Sequence, residues 1–368
     1  MKTADVAVIG GGAVGAACAR AAALRGLRVT IFEPGPDPAA ASPASAGMLA
    51  AQIEAADEAL LALSVRARDR YEPLAPELRD TTGIDIGFWR AGIAAIALDE
   101  VDAERLKEEV ARQRQAGLRC DWLDGDEVRE RWPGAAPECH GALVSPEDGA
   151  VDPQALTRAC LADARRVGAT LQVERITALQ TANGRVTGVV TRSGTTPADH
   201  AVLAAGVWSS QIAGLPRALP VEPVRGQLAA TAWPAGTPAA IVYHDHGYVL
   251  ARGNDAVLGS TMERAGFDCQ VTNEGLAQIF RGAVRLLPAL LQQAVRRMWA
   301  GLRPVTPDGR PIIGEDPAVQ RLWYATGHGR SGILLAALTG DVIADLLTQG
   351  ETDVDISALR IDRFEPRG

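Results

Sequence analysis

Short apolar runs alternate with helical stretches along the chain, and their order suggests how it is built. ADVAVI at 4–9 is an apolar, β-branched run that ends at glycine, which suits a parallel strand buried on both faces. An alanine-rich stretch from 13 to 25 predicts a helix, and RVTIFE at 28–33 predicts a second strand. Together they form a β-α-β unit of about thirty residues. Residues 34–45 are Pro, Ala and Ser without periodicity, hence a loop. The stretches 53–80 and 99–116 predict helices with charged faces. IDIGFWRAGIAAIAL between them alternates and predicts strands. A helix should start near Asp152, with Pro153 in its first turn. TLQVERITAL, GRVTGVVTRSG and HAVLAAG then predict three strands.

From Val221 to Met262 the pattern is strand-rich, followed by a helix at 272–287, a strand at LWYATG and a last helix at 331–347. The expected fold class is α/β: a Rossmann-like domain interleaved with a strand-rich one. The division is 1–85, 145–218 and 305–368 for the cofactor domain, with 86–144 and 219–304 for the substrate domain. One ribbon, WAGLRPVTPDGRPIIG at 299–314, sets two arginines among apolar, Gly and Pro residues.

The first strand runs into GGGAVG, which fits G-x-G-x-x-G with Gly10, Gly12 and Gly15. Gly10 permits the tight turn, Gly12 lets backbone amides approach a pyrophosphate, and Gly15 lets helix pack on strand. The helix start then offers N–H groups and a positive dipole end. Glu33 closes the second strand, where a carboxylate accepts from ribose hydroxyls. The pattern alone does not choose between NAD and FAD. No second contiguous β-α-β half follows it, while VLAAGVWS (202–209) and GHGRSGILLA (327–336) add glycine-bounded segments far downstream. A long cofactor stretched between distant segments favours FAD.

These residues carry a resemblance. VIGGGAVG with Glu33, SAGML (45–49), YHDHGYVLAR (243–252), GSTME (259–263), WAGLRPVTPDG (299–309), GHGRSGILLA and LRIDRFE (359–365) run through nearly the whole length. The chain resembles the FAD-dependent D-amino-acid oxidase superfamily and, within it, the glycine oxidases of thiamine biosynthesis. The resemblance implies that Gly10, Gly12, Ala13, Val14, Gly15, Glu33 and Pro34 hold the ADP half of FAD. It sets Ala41, Ser42, Ala46, Gly47 and Met48 along the pyrophosphate and flavin, and Ile176 on the adenine side. His328, Gly329, Arg330, Ser331, Gly332, Ile333 and Leu334 would cradle the isoalloxazine ring. Tyr248, Arg303 and Arg330 would face the substrate, with Met262 as a pocket wall. No cysteine follows Cys269, so the flavin is expected to be non-covalent.

The implied chemistry moves the substrate α-hydrogen as hydride to flavin N5, so the protein mainly grips and orients. A guanidinium fork matches a carboxylate bidentately, which suits Arg303. The bland alternative pairs Arg303 with Asp308 or Glu315 and leaves Tyr248 a core tyrosine. Arg310 is expected to be scaffold. His244 and His246 share a face without a third ligand at metal spacing, so no metal is assigned. His328 is expected to tune the flavin or cap the helix, without serving as a base. Related sequences carry an aromatic residue and an asparagine where this chain has Gly329 and Ser331, and a glycine where it has Val305. A lost ring widens a pocket, so sarcosine, D-alanine and D-proline join glycine as candidate substrates.

Composition narrows the rest. The chain has 368 residues and a net charge of -8, which disfavours nucleic acid. Five scattered cysteines (Cys18, Cys120, Cys139, Cys160, Cys269) suggest reduced thiols in the cytoplasm. The N-terminal pattern reads as neither signal peptide nor membrane span. The expected partners are a small amino acid or amine and O2, with a homo-oligomer open. The rival readings are a dehydrogenase of the same fold using another acceptor, and a non-catalytic FAD-binding subunit.

Overall fold

In the computed structural model, which describes residues 4–54, 58–134 and 137–365, two eight-stranded sheets carry the fold. The first is largely parallel, with the order Ile312–Glu315, Leu322–Thr326, Gly194–Leu203, Ala4–Ile9, Val29–Phe32, Thr170–Gln172. Ala4–Ile9 pairs parallel with both Val29–Phe32 and Gly194–Leu203. Val6, Ala7 and Val8 are fully buried, because helices cover a central parallel strand on its faces.

Helices Ala13–Leu24, Pro153–Arg166 and Gly332–Gln349 pack together over one side of this sheet. Small residues make the approach possible. A Cβ on Gly340 would lie 2.6 Å from the Ala17 carbonyl oxygen. By length and composition alone the last helix could cross a membrane, but most of it is buried inside the protein.

The second sheet runs Val295–Val305, Glu222–Ala232, Asp255–Gly259, Gly247–Arg252, Ile241–His244, Ile93–Ala97, Gly141–Ser145, Asp121–Asp124. Only the pairing of Ile241–His244 with Ile93–Ala97 is parallel. Helix Asn273–Leu286 buries Ile279, Ala283 and Leu286 against Val249 and Leu258. Helix Glu100–Gln115 covers Ala95, Ala97 and Leu143.

Three expectations change. The helical stretch predicted over 53–80 is two helices, Glu58–Asp69 and Tyr71–Thr82. Pro73 has no N–H and its ring crowds the carbonyl four residues back, which ends the first helix at Asp69. Residues 53 and 54 of that stretch lie in a turn instead of a helix, and 55–57 lie outside the described residues. TLQVERITAL is not one strand: Thr170–Gln172 joins the parallel sheet, and Ala178–Ala182 joins a hairpin with Arg185–Thr191. Its apolar positions 171, 173, 176 and 179 change phase midway, so no single sheet face takes them all. The 34–45 loop contains a one-turn helix, Ala41–Ala44.

The ribbon at 299–314 links the two sheets. Its first half is the end of edge strand Val295–Val305, and after a turn at 306–311 its second half begins Ile312–Glu315. Arg303 belongs to the antiparallel sheet, whereas Arg310 belongs to the crossing.

Candidate active site

Between the sheets lies a cleft of about 930 Å³, reaching from the glycine turn at 10–12 to Arg303 and Arg330. At one end, the backbone sets the shape. Gly10 has φ +108°, and a Cβ there would overlap the Ala204 carbonyl oxygen. A Cβ on Gly15 would overlap the carbonyl oxygen of Gly10 itself. Gly12 caps helix Ala13–Leu24 without a side-chain partner, and no acidic residue sits in the first turn. The positive end of the helix dipole therefore faces the cleft.

Side chains complete this cradle. Ser42 Oγ accepts from Ala13 N at 2.9 Å, which ties the one-turn helix to the glycine turn. Glu33 Oε2 accepts from Gly11 N at 2.6 Å, and Oε1 accepts from Gly35 N at 3.3 Å. Arg252 donates to the carbonyl oxygens of Ala46 and Val151, the latter at 3.0 Å. The turn that a Cβ would fill, the open helix start and the strand-end carboxylate fit a dinucleotide. A cleft this long fits FAD.

The other end is built from side chains on neighbouring strands. Arg303 Nη1 donates to Thr261 O at 3.0 Å, and Nη2 donates to Ser260 Oγ at 2.7 Å. Both acceptors are neutral. The suggested pairings with Asp308 or Glu315 are not formed: Asp308 accepts from Arg363 at 2.8 Å, and Glu315 from Arg321 N at 2.6 Å. Burial, with Arg330 nearby, pulls the Arg303 pKa below its ordinary value, yet guanidinium stays charged. A half-buried cation held by neutral oxygens is a place for an anion.

Two glycines make room for this arrangement. Arg303 lies along strand Glu222–Ala232 at Gly226, where a Cβ would overlap Nη1. Tyr248 crosses Gly259, its partner in the sheet register, where a Cβ would overlap the hydroxyl. Burial pushes the Tyr248 phenol up to about 12, with Arg303 and a hydrogen bond from Ser260 opposing. At neutral pH the hydroxyl is therefore a donor.

Arg330 stands apart from Arg303. Its Nη2 donates to Glu54 Oε1 at 2.7 Å. Glu54 and a hydrogen bond with Tyr243 hold its pKa above the ordinary value against burial. His328 is buried, its Nε2 lies 3.1 Å from Thr339 Oγ1, and burial lowers its pKa to about 3. It is a neutral ring in a helix-facing hydrogen bond.

The cleft brings together most of the residues named from sequence. Gly10, Gly12, Ala13, Val14, Glu33, Pro34, Ala41, Ser42, Ala46, Gly47, Met48, Ile176, Tyr248, Met262, Arg303, His328, Gly329, Arg330, Gly332 and Ile333 all line it. Met262 is 56% exposed at its rim. Gly15, Ser331 and Leu334 stand behind the wall, where Leu334 packs in the helical core and Ser331 N donates to His328 O. Val305 bridges to His328 through the backbone, and its Cγ2 is the one atom within 4 Å of a Cβ built on Gly329. Away from the cleft, His244 Nε2 meets Asp102 Oδ2 at 2.9 Å, and His246 N donates to His244 Nδ1. Sequence reasoning missed Glu54, Ser260, Trp299 and the roles of Gly226 and Gly259. An isolated glycine inside a strand pattern signals close approach, and Gly226 in VRGQLAATAW carried that signal.

A glycine-turn cradle facing an arginine–tyrosine anion site belongs to the class of dinucleotide-dependent oxidoreductases. The chain belongs to the DAO family, FAD dependent oxidoreductase, whose model matches residues 5–346. It is similar to a glycine oxidase of Geobacillus kaustophilus (strain HTA426), with 36% identity over 366 residues, 98% of this chain and 97% of that one. It is also 34% identical to the bifunctional protein ThiO/ThiG of Trichormus variabilis over 99% of this chain, and it spans only 55% of that relative's length. A crystal structure of glycine oxidase from Geobacillus kaustophilus superimposes with a TM-score of 0.93, 34% identity and 99% coverage of both chains. The protein is thus an FAD-dependent enzyme with the α/β fold of this family.

Proposed function

We propose that the protein oxidatively deaminates glycine or another small amine with one carboxylate, consuming O2 and water and releasing H2O2, an oxo acid, and ammonia or an amine. The observation that carries this reading is Arg303: a guanidinium at the cleft whose partners are the neutral oxygens of Ser260 and Thr261. Two of its five N–H groups are used there, which leaves donors for a carboxylate. Tyr248, protonated at neutral pH, adds a hydroxyl donor to the same carboxylate. FAD, when bound, accepts the hydride from the substrate Cα and returns the electrons to O2.

The protein's own part is to bind and orient. Gly10, Gly12, Ala13, Val14 and Ser42 form the pyrophosphate end, Glu33 the ribose side, and His328, Gly329, Arg330, Gly332 and Ile333 the flavin side. His328, neutral and bonded to Thr339, leaves no imidazole base at the reacting carbon. Cys269 does not line the cleft, which supports a non-covalent flavin. We assign 1–85, 145–218 and 305–368 to the FAD domain and 86–144 and 219–304 to the substrate domain. The open space above Gly329 supports a pocket that takes sarcosine, D-alanine or D-proline besides glycine. Location in the cytoplasm as a soluble protein, with no nucleic-acid or membrane partner, accompanies this reading.

The test is a peroxide-release screen of the holoenzyme with glycine, sarcosine and both enantiomers of alanine and proline. Peroxide from glycine, sarcosine and the D-forms is expected. Dye reduction without oxygen uptake would make the protein a dehydrogenase, and flavin that no substrate bleaches anaerobically would make it a non-catalytic subunit.

A further inference from the structure

Of the arginines that line the cleft, Arg303 and Arg330 lie close to Tyr248, and they differ in one respect. Arg303 is partnered only by neutral oxygens, while Arg330 carries its own carboxylate, Glu54, at 2.7 Å. Tyr243, opposite Tyr248 in the hairpin register, lies near Arg330 and helps raise its pKa. Both arginines, Tyr248 and Glu54 line the one cleft.

Glu54 does not occupy this position by chance of an exposed side chain. It ends a turn whose backbone is fixed at several points by buried groups. Asp148 Oδ2 accepts from Gln52 N at 3.0 Å and from Ile53 N at 3.3 Å. Gln52 Oε1 accepts from Arg68 at 2.7 Å, and Gln113 Nε2 donates to Gln52 O at 3.0 Å. Glu54 N itself donates to Ala50 O at 3.2 Å. Gln52, Arg68, Gln113 and Asp148 are all buried. Such a satisfied polar network rigidifies the segment that carries it.

Resting on the carboxylate reading of Arg303, we propose that Glu54 is a specificity-determining residue: by pairing Arg330 it leaves Arg303 the one of this pair with no carboxylate bonded to it, so that monocarboxylates are admitted and dicarboxylates excluded. A second carboxylate on the substrate would have to displace Glu54 from Arg330 and would then lie beside a rigidly held negative charge. Discrimination built on such a like-charge contact works by disfavouring the wrong substrate. Glu54 acts through Arg330 and is a positioning residue; the amine and Cα of a small substrate do not require it.

The experiment reads carboxylate binding from the perturbation of the flavin absorbance of the holoenzyme, with acetate and malonate as probes and no turnover needed. Wild type should bind acetate more tightly than malonate; the opposite order overturns the proposal. Glu54→Gln should shift the malonate-to-acetate affinity ratio by about tenfold or more toward malonate, about 1.4 kcal/mol. Glu54→Asp, which keeps the charge, should retain the wild-type preference. Glu54→Gln combined with Arg330→Met should lose the gain. A ratio that Glu54→Gln leaves unchanged sinks the gate. In turnover, kcat/KM for iminodiacetate relative to glycine should rise in Glu54→Gln, and a parallel fall in both would mark a purely structural role. Failure of wild type to bind either probe would instead remove the carboxylate reading of Arg303, so the two failures are distinct.

Discussion

The two ends of the cleft solve their binding problems with different parts of the chain. At the dinucleotide end, one continuous stretch from Ala4 to Glu33 supplies strand, turn, helix and carboxylate, and most of the fit is made by absent side chains. At the anion end, Arg303, Tyr248, Ser260 and Glu54 come from four separate segments, and the fit is made by side chains laid over glycines of neighbouring strands. The first end tolerates almost no added volume. The second depends on charge and on which strand sits beside which.

That contrast can be broken experimentally, and the largest effect is expected at the dinucleotide end. Gly15→Ala sets a methyl against the Gly10 carbonyl oxygen; overpacking of about 3 kcal/mol corresponds to roughly hundredfold weaker FAD binding. The flavin content of the purified protein checks this, and full occupancy would show that the turn yields. Arg303→Lys keeps the charge and loses the fork. A loss of about 2 kcal/mol should cut kcat/KM roughly thirtyfold, mostly in KM, while FAD stays bound. Unchanged kinetics would make Arg303 structural.

Gly226→Ala sharpens the comparison, because its added methyl acts on Arg303. A methyl there meets Arg303 Nη1, and displacement costing about 1 kcal/mol should raise KM roughly fivefold without loss of flavin. Reduced flavin content with normal KM would assign Gly226 to the wrong end.

The smallest effect is one of pH. His328 is held neutral by burial, its pKa lowered from 6.5 to about 3. Between these values the unfolded chain binds the proton and the folded protein does not, so stability is intact above 6.5 and declines as pH falls toward 3. The melting temperature of His328→Gln should fall less steeply over that window than that of wild type. Equal slopes would show that His328 accepts the proton in place.

Legibility in the sequence follows the same divide. VIGGGAVG with Glu33 could be read directly because the determinants are local and the spacing of a β-α-β unit is nearly fixed. Arg303 and Tyr248 were found by resemblance, since nothing in WAGLRPV reveals that Gly226 and Gly259 lie beneath them. Glu54 left no trace: its partner is 276 residues away, and its position depends on Asp148, Gln52 and Gln113 meeting in the core. The break at Arg70 was readable from Pro73 and was outweighed by the helical pattern around it. The split of TLQVERITAL depended on its two ends pairing with different strands, Val29–Phe32 and Arg185–Thr191, and only the phase change between positions 173 and 176 hints at it.

Strand Val295–Val305 is the outermost of its sheet, and such strands ordinarily expose a row of unpaired backbone groups. Here Leu302 N donates to Ala39 O at 2.9 Å, Trp299 Nε1 donates to Ala44 O at 2.9 Å, and Gly301 lies flush against Ala44. The loop that borders the pyrophosphate end thus covers the margin of the substrate sheet at residues 299–302. For anyone recombining family members into chimaeras, residues 39–44 and 299–302 belong together. A graft that carries the sheet without that loop should yield a protein that self-associates before it ever loses its grip on the substrate.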